Sequence, residues 1–332
     1  MNWTTRTTQL LLLFAATASA CGGGGGGSDP ATDTTTSTTL PAGWTRLADL
    51  PVGLAKFGVT ALNGRLYVLG GYDTRSTTWV YDIATNTWSA GPALPRGTDN
   101  VAAAATADRV WAIGGEAGAA LQSFDPVAGT WSAAPNAPAV RFAAAAGVLS
   151  GRLHVAGGWN ANNAASASLT RHDIYDPALT SWVSAAPLPT ARNAAGGTVL
   201  DGKFYVVGGR SPGIRSTDQQ PLATVEVYTP AADRWDAAAP LPTARGSLAV
   251  AALGSRVYAF GGEDSTRAVS NAVERLDPAT GAWTALAAMP YRSHGLGVVA
   301  VGNDFYVMGG FTGASDAVGT ESKALYRYRP TP

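Results

Sequence analysis

The chain repeats three landmarks six times in a fixed register, and this periodicity constrains the fold more than any other feature. In each repeat a proline follows a tryptophan by seven residues, and a Gly-Gly pair follows the same tryptophan by 26 residues. Such a register is typical of repeat proteins, in which each unit buries its apolar face against its neighbours. The tryptophans are Trp44, Trp88, Trp131, Trp182, Trp235 and Trp283; the prolines are Pro51, Pro95, Pro138, Pro189, Pro242 and Pro290; the Gly-Gly pairs begin at Gly70, Gly114, Gly157, Gly208, Gly261 and Gly309.

A fourth landmark, usually aromatic, precedes five of the tryptophans by seven residues. The runs at residues 65–69, 203–207 and 304–308 are rich in β-branched and aromatic residues and lead into Gly-Gly, as strands that end in a turn do. Each repeat therefore predicts four strands: one after the proline, one before Gly-Gly, one at the fourth landmark and one at the tryptophan. The fourth landmark is Tyr81, Phe124, Tyr175, Tyr228 and Leu276.

This succession of Gly-Gly, tyrosine and tryptophan resembles the kelch repeat, and the resemblance extends from Trp44 to about residue 330. It implies an all-β fold, a six-bladed kelch β-propeller with four antiparallel strands per blade around a central channel. We therefore expect the propeller to occupy residues 43–332.

The two ends of the repeat region predict how the propeller closes. Residues 44–51 form an outer strand that has no earlier strands of its own blade, and residues 325–328 form a third strand that has no tryptophan strand after it. We therefore expect the N-terminal outer strand to pair with the C-terminal blade. This pairing removes free strand edges, which otherwise promote aggregation.

The repeats differ in length mainly between Gly-Gly and the fourth landmark, where the spacing ranges from 10 to 20 residues. If the strands of a blade are called a to d, this variable segment is the b–c loop. Antiparallel pairing places the residues that follow each proline at the same end of the channel as the b–c loops. The resemblance implies that this face binds the ligand. The candidate ligand-binding residues are Trp159, Asn160, Arg210, Glu263, His294, Arg141, Arg192, Arg245 and Arg292.

Several of these positions have a structural alternative. Arg141, Arg192 and Arg245 each lie three residues after a repeat proline, so we expect a mainly structural role for them. The repeated tryptophans and tyrosines are expected to pack between blades as core. His154 takes the place of an aromatic residue in other repeats, and His172 is interpreted as a strand residue.

The sequence predicts no catalytic residues, no metal site and no cofactor. Only three histidines are present, and His294 near the mouth has no identified aspartate and serine with which to form a triad. No histidines or carboxylates have metal-ligand spacing on one element, and Gly-Gly lacks the lysine of a phosphate-binding loop. Propeller oxidases that resemble kelch proteins use copper and a tyrosine crosslinked to cysteine. The only cysteine, Cys21, lies at the end of the N-terminal leader and cannot supply this crosslink.

The N-terminus predicts export. Residues 1–20 carry Arg6, an apolar run at 10–16 and small residues before Cys21, as a signal peptide does. Cys21, the only cysteine, occupies the position that receives lipid in bacterial lipoproteins, although ordinary signal-peptidase cleavage also fits the small residues before it. Residues 21–42 contain six glycines in a row and a threonine-rich run, and we expect a flexible tether there.

Charge excludes some partners. The chain has 23 basic and 23 acidic residues, and only 14% of its residues are charged. Nucleic acid is therefore not an expected partner, and a membrane is expected to be contacted only through a lipid anchor. We expect a monomer in the bacterial cell envelope, lipid-anchored in the periplasm or at the cell surface, with soluble secretion as the alternative.

Two functions fit these expectations. The first is a non-enzymatic binding module whose b–c loop face holds a protein or a glycan. The second is a carbohydrate enzyme similar to the sialic-acid mutarotases, which are also six-bladed kelch proteins. In the second case arginine and acidic residues at the mouth would hold a sugar carboxylate.

Overall fold

The six repeats fold into six four-stranded antiparallel sheets, one for each blade of a propeller. The computed structural model describes residues 39–331 except 161–167, 212–219, 315 and 317–318. The expected signal peptide, Cys21 and most of the expected tether lie outside the described residues. The folded unit begins at Leu40, whose side chain packs against the core.

In blades 1 to 3 the strands follow one another in chain order from the channel outward. Blade 1 consists of β2 (Gly58–Leu62), β3 (Arg65–Leu69), β4 (Thr78–Asp82) and β5 (Thr87–Ala90); blade 2 of β6 (Ala102–Ala105), β7 (Val110–Ile113), β8 (Leu121–Asp125) and β9 (Thr130–Ala134); blade 3 of β10 (Ala145–Leu149), β11 (Arg152–Ala156), β12 (His172–Asp176) and β13 (Ser181–Ser184). A single-turn 3-10 helix, Gly115–Ala117, lies in the b–c loop of blade 2.

Blades 4 to 6 repeat this arrangement, except that the outer strand of blade 6 comes from the N-terminus. Blade 4 consists of β14 (Gly196–Leu200), β15 (Lys203–Val207), β18 (Val225–Thr229) and β19 (Arg234–Ala238); blade 5 of β20 (Ala249–Leu253), β21 (Arg256–Phe260), β22 (Val273–Asp277) and β23 (Ala282–Ala285); blade 6 of β24 (Gly297–Val301), β25 (Asp304–Met308), β26 (Leu325–Tyr328) and β1 (Trp44–Arg46). The b–c loop of blade 4 adds a small hairpin, β16 (Arg210–Ser211) and β17 (Gln220–Pro221), and a 3-10 turn, Pro230–Ala232, follows β18.

Small residues on the innermost strands allow six strands to meet around one channel. A Cβ atom added to Gly58 would lie 2.7 Å from the Cβ of Ala103, and one added to Gly196 would lie 2.2 Å from a methyl group of Val250. These distances are shorter than van der Waals contact, so only glycine fits at these two positions. The small residues of the first strands therefore set how closely neighbouring blades approach.

The tryptophan of each blade joins that blade to the preceding one. Its indole N–H donates to the backbone carbonyl of the residue four positions after the preceding tryptophan. Trp44 is buried, whereas the other five indoles are half-buried and pack on the edge of the core; the tyrosine position is fully buried. The tryptophans therefore link blades at the rim of the core. The bonds join Trp88 to Ala48 (2.9 Å), Trp131 to Pro92 (3.0 Å), Trp182 to Pro135 (2.9 Å), Trp235 to Ala186 (2.8 Å), Trp283 to Ala239 (3.0 Å) and Trp44 to Ala287 (3.3 Å).

The predicted closure of the ring by both ends of the chain is confirmed. Strand β1 pairs antiparallel with β26, with Trp44 opposite Tyr328. The two rings stack with centroids 4.5 Å apart, and the N–H of Arg329 donates to the carbonyl of Gly43 at 2.9 Å. The propeller is therefore closed by hydrogen bonds and by aromatic packing. Within the described part of the chain, no helix is long and apolar enough to cross a membrane.

Candidate functional site

Six backbone hydrogen bonds form a closed ring where the channel meets the b–c loop face. We call its members the mouth ring; each lies five residues after a repeat proline, and each has a positive φ between 49° and 60°. In this conformation each N–H reaches the carbonyl of the equivalent residue in the preceding blade. The ring joins all six blades at this end of the channel. Its bonds, all 2.8–2.9 Å, run from Lys56 to Gly295, Gly295 to Ser247, Ser247 to Ala194, Ala194 to Ala143, Ala143 to Asn100 and Asn100 to Lys56.

The residue before each ring member fixes the first part of a b–c loop. In four blades it forms a backbone bridge with the residue that follows Gly-Gly, and in blades 1 and 2 its carbonyl accepts a hydrogen bond from that residue's N–H. The b–c loop residues are thereby arranged around the mouth ring. The pairs are Ala55 with Tyr72, Asp99 with Glu116, Phe142 with Trp159, Asn193 with Arg210, Gly246 with Glu263, and His294 with Phe311.

Arg141, Arg192 and Arg245 lie inside the blades, with only 0–1% of each exposed. Burial lowers the pKa of each guanidinium, while a carboxylate on the third strand of the same blade opposes this lowering. The placement fits the structural role that the sequence suggested, and their role as ligand contacts stays a prediction. The pairs are Arg141 with Asp173, Arg192 with Glu226 at 2.5 Å, and Arg245 with Glu274 at 2.5 Å.

The carboxylate partners of these arginines were missed in the sequence, although a signal was present. Each acid lies two residues before the fourth landmark of a repeat that has an arginine three residues after its proline. The repeats with Leu54, Thr98 and Ser293 at the arginine position have an uncharged residue at the acid position. This co-occurrence of arginine and acid within a repeat predicts an ion pair.

Arg210, Glu263 and His294, all sequence candidates, come together on one side of the mouth. Arg210 forms an ion pair with Glu263, whose other oxygen lies 3.4 Å from Nε2 of His294. A second guanidinium, that of Arg267, lies 3.6 Å from Glu263. Arg210, Glu263 and His294 are only 1–4% exposed. Burial lowers the pKa of Arg210, and the nearby Glu263 carboxylate acts against this lowering. Arg210, Glu263 and His294 therefore form a group of buried polar and charged side chains beneath the loops, and we call this group the buried base.

An aromatic strip extends this cluster across the mouth. The imidazole of His294 stacks on Phe311 with centroids 5.3 Å apart, and Phe311 meets the edge of Tyr72 at 5.5 Å. The ammonium group of Lys56 lies 5.5 Å from the centre of the Tyr72 ring and 5.9 Å from that of Phe311. Tyr72 is half-buried, so part of its ring faces solvent. Tyr72, Phe311 and Lys56 were not among the candidate site residues that the sequence predicted.

Three other candidates are more accessible. Trp159 and Asn160 are half-buried, and the Trp159 ring packs against Phe142 with centroids 5.9 Å apart. Arg292 is exposed, and its guanidinium donates to the carbonyl of Val269 at 3.3 Å. The structure thus divides the candidates into a buried base and an accessible set formed by Trp159, Asn160 and Arg292.

A cavity of about 130 Å³ is lined by the six members of the mouth ring and the residues that follow them, and a cavity of about 260 Å³ lies between the innermost strands. The first is lined by Lys56, Asn100 and Ser247 among small apolar residues, whereas the second has mostly alanine, glycine and valine walls. In the part of the chain that the structure describes, no group of three or more histidine, cysteine or acidic side chains is arranged to hold a metal ion.

The repeat pattern and the blade geometry agree with matches to known families. The family model described as the KLHDC2/KLHL20/DRC7 Kelch-repeats domain matches residues 103–310, and the Kelch motif model matches residues 54–95. The chain belongs to the kelch-repeat family.

Relatives support this kelch assignment. Kelch-like protein terF of Aspergillus terreus is 26% identical over 236 residues, covering 68% of this chain and 42% of that protein. Kelch-like protein 35 of Mus musculus is 29% identical over 195 residues, covering 56% of this chain and 31% of that protein. The chain thus spans less than half the length of these two curated relatives. The solved structure titled "Structure of YjhT" has a TM-score of 0.72 at 15% identity and covers 84% of this chain and 95% of its own, which shows a shared fold.

Proposed function

We propose that this kelch propeller is an exported, lipid-anchored binding module that holds a protein or glycan partner on its b–c loop face. The observation that carries the proposal is the combination of half-buried aromatic rings, Tyr72 and Trp159, with the ammonium of Lys56 around one mouth. Aromatic side chains supply much of the energy at protein interfaces, and they also pack against sugar rings.

The buried base beneath this surface supports a binding role. The mouth ring and the ion pair of Arg210 with Glu263 fix the start of the b–c loops before any partner arrives. A surface that is already ordered loses less conformational entropy when it binds. The proposal therefore assigns binding to the accessible residues and positioning to the buried ones.

The binding proposal is tested with the double variant Tyr72→Ala/Trp159→Ala. The wild-type protein is first used in a glycan array and in a pull-down from envelope proteins, and captured ligands are then titrated with the variant. We expect at least a tenfold loss of affinity with little change in melting temperature. Leu179→Ala is the matched control, because Leu179 is 69% exposed on a turn at the opposite end of its blade. Equal losses of ligand affinity in the double variant and in the control would contradict the proposal.

Export and lipid anchoring are tested at the N-terminus. Cys21 follows Ala18, Ser19 and Ala20, and the nearly neutral chain has no electrostatic means of staying on a membrane. Mass spectrometry of the mature protein is expected to show acylated Cys21, and Cys21→Ser is expected to release the protein from the membrane fraction. An unmodified N-terminal Cys21 in a soluble wild-type protein would contradict the anchor and leave the binding proposal intact.

A sugar mutarotase function is the second candidate, and the contact of His294 with Glu263 beside Arg210 is the observation that favours it. A histidine and a carboxylate in contact are able to move a proton during anomerisation. The burial of all three side chains favours the binding module over the enzyme. Exchange of N-acetylneuraminate anomers, followed by NMR, separates the two accounts. Acceleration that His294→Gln abolishes would favour the enzyme.

A further inference from the structure

Lys56 differs in charge from every other member of the mouth ring. The remaining five positions carry asparagine, alanine, alanine, serine and glycine, so the mouth ring carries a single ammonium group. Its side chain is 19% exposed and lies against the rings of Tyr72 and Phe311. A cation held against two aromatic rings is suited to attract one anionic group.

An acidic group of the same chain already occupies this position. Asp316, on the b–c loop of blade 6, places Oδ2 2.5 Å from Nζ of Lys56. The Asp316 carboxylate is 43% exposed, and its charge also acts on Arg210 against the lowering of that guanidinium's pKa by burial. Asp316 thus extends over the mouth from a loop, as an acidic side chain on a bound partner would.

We propose that Lys56 is the anchoring residue for an acidic side chain of a protein partner, and that Asp316 is a tethered competitor for the same position. The inference rests on the proposed binding function of the b–c loop face and names the chemistry that this face recognises. Binding exchanges one carboxylate for another on the Lys56 ammonium. The Lys56 ammonium is therefore paired with a carboxylate both before and after the partner binds.

The contact of Asp316 with Lys56 favours an acidic side chain over a sugar ring as the occupant. Asp316 shows directly that an aspartate side chain fits. Tyr72 is half-buried and offers its ring to the methylene groups and backbone beside that carboxylate. An acidic sugar is accordingly treated as an alternative occupant in the test.

A tethered competitor lowers the apparent affinity for a partner. A group on a loop of the same chain acts at a raised effective concentration, and the partner binds only the fraction of molecules in which that group is displaced. Removing the Asp316 charge is therefore expected to strengthen binding, whereas removing the Lys56 charge is expected to abolish it. If the ion pair were merely structural, both substitutions would change the affinity for the partner in the same direction.

The test uses the full chain and a synthetic peptide that copies residues 312–320, with both peptide ends blocked. Binding is followed by NMR chemical shifts of the isotope-labelled protein, in wild type, Asp316→Asn and Lys56→Met. We expect Asp316→Asn to bind the peptide at least fivefold more tightly than wild type. Lys56→Met and Lys56→Met/Asp316→Asn are expected not to bind it. A peptide with asparagine in place of its aspartate is the matched control and is expected not to bind any variant.

Each other outcome overturns the proposal. Equal peptide affinity in wild type and Asp316→Asn would show that Asp316 does not compete, and peptide binding by the double variant would show that Lys56 does not anchor. Tighter binding of N-acetylneuraminate than of the peptide by Asp316→Asn would assign the site to an acidic sugar instead. Melting temperatures confirm that each variant is folded. A partner captured by wild type and retained at full affinity by Lys56→Met would overturn this inference while the proposed function stands.

Discussion

Nδ1 of His154 lies 3.1 Å from Nε2 of His172 in the interior of blade 3. The two rings are buried against Phe204 and Tyr228 of blade 4, and Nδ1 of His172 lies 3.2 Å from the carbonyl of Ala186. Burial lowers the pKa of each histidine to about 4; the neighbouring histidine contributes to the lowering at His154, whereas the Ala186 carbonyl partly opposes it at His172. The pair is therefore neutral in the folded protein at pH 7.

This pair predicts a loss of stability in mild acid. In the unfolded chain both histidines titrate near pH 6.5, so between pH 6.5 and 4 the unfolded state binds protons that the folded state excludes. Stability is complete above pH 6.5 and falls toward pH 4, by a few kcal/mol for the pair. Urea unfolding at pH 7 and pH 5 measures the change. The pKa of Asp173 is also lowered, so its contribution to the stability of the fold is lost only in stronger acid.

The matched variant replaces both histidines with residues that other repeats carry at the same positions, as His154→Tyr/His172→Val. Its stability is expected to change less between pH 7 and pH 5 than that of wild type. The two proteins are identical at all other positions, which isolates the effect of the buried pair. An identical pH dependence would contradict a role for the buried pair.

The ion pair of Arg192 with Glu226 predicts a large loss of stability when one partner is removed. Arg192 also donates to the carbonyls of Gly208 and Thr224, at 3.2 and 2.9 Å, so its guanidinium ties the end of β15 to the start of β18. Arg192→Met leaves the buried Glu226 carboxylate unpaired, which costs about 3–5 kcal/mol. The double variant Arg192→Met/Glu226→Leu is expected to be no less stable than the single one. Denaturant unfolding measures both.

The ligand role that the sequence suggested for Arg192 is tested by the same double variant. A partner captured by wild type is expected to bind this variant with unchanged affinity, because the guanidinium is covered by the fold. A large loss of affinity in a folded double variant would return Arg192 to the binding site.

The mouth ring predicts a gain of stability from glycine. Ala194 has a φ of 50°, in the left-handed region that costs an L-residue about 1–2 kcal/mol. Glycine avoids this strain and costs about 0.5–1 kcal/mol in backbone entropy. Ala194→Gly is expected to stabilise the protein by up to about 1.5 kcal/mol, as the difference of these two costs. Gly295→Ala, at a φ of 60°, is the control of opposite sign. Thermal unfolding measures both variants. A shift of the melting temperature in the same direction for both would contradict this account.

The strands were predictable because their signals are local. The runs at 65–69, 203–207 and 304–308 correspond to β3, β15 and β25, since β-branched and aromatic residues favour strands and the following Gly-Gly ends them. The fold followed from repetition of that local signal, and the closure followed from the incomplete repeats at each end. The kelch family match and the six sheets confirm these predictions.

The site was less predictable because burial depends on contacts between distant segments. Sequence reasoning chose Arg210, Glu263 and His294 as residues of the b–c loop face, and the structure places them there but buries them. The mouth ring was missed, since positive φ at lysine and alanine has no marker in the sequence. The histidine pair was missed because residues 154 and 172 meet only through the register of β11 with β12.

The stacking of Trp44 on Tyr328 leads to a last prediction, for the joint between the two ends of the chain. Deletion of residues 41–52 removes β1 and leaves β26 with an unpaired edge. It also removes Trp44, and loss of a buried tryptophan side chain alone costs about 3–5 kcal/mol. Because typical domains are stable by only about 5–15 kcal/mol, we expect a melting temperature lowered by more than ten degrees or no cooperative unfolding.

Deletion of residues 22–38 is the control for this experiment. It removes more residues than the first deletion but leaves β1 and the turn before it in place. The threonine- and glycine-rich composition of the segment cannot support a packed core, so we expect an unchanged melting temperature. Thermal unfolding of both proteins, followed by circular dichroism, compares them. Similar melting temperatures after the two deletions would mean that β26 does not need β1, and that the hydrogen bonds and stacking at this joint contribute little to the stability of the closed propeller.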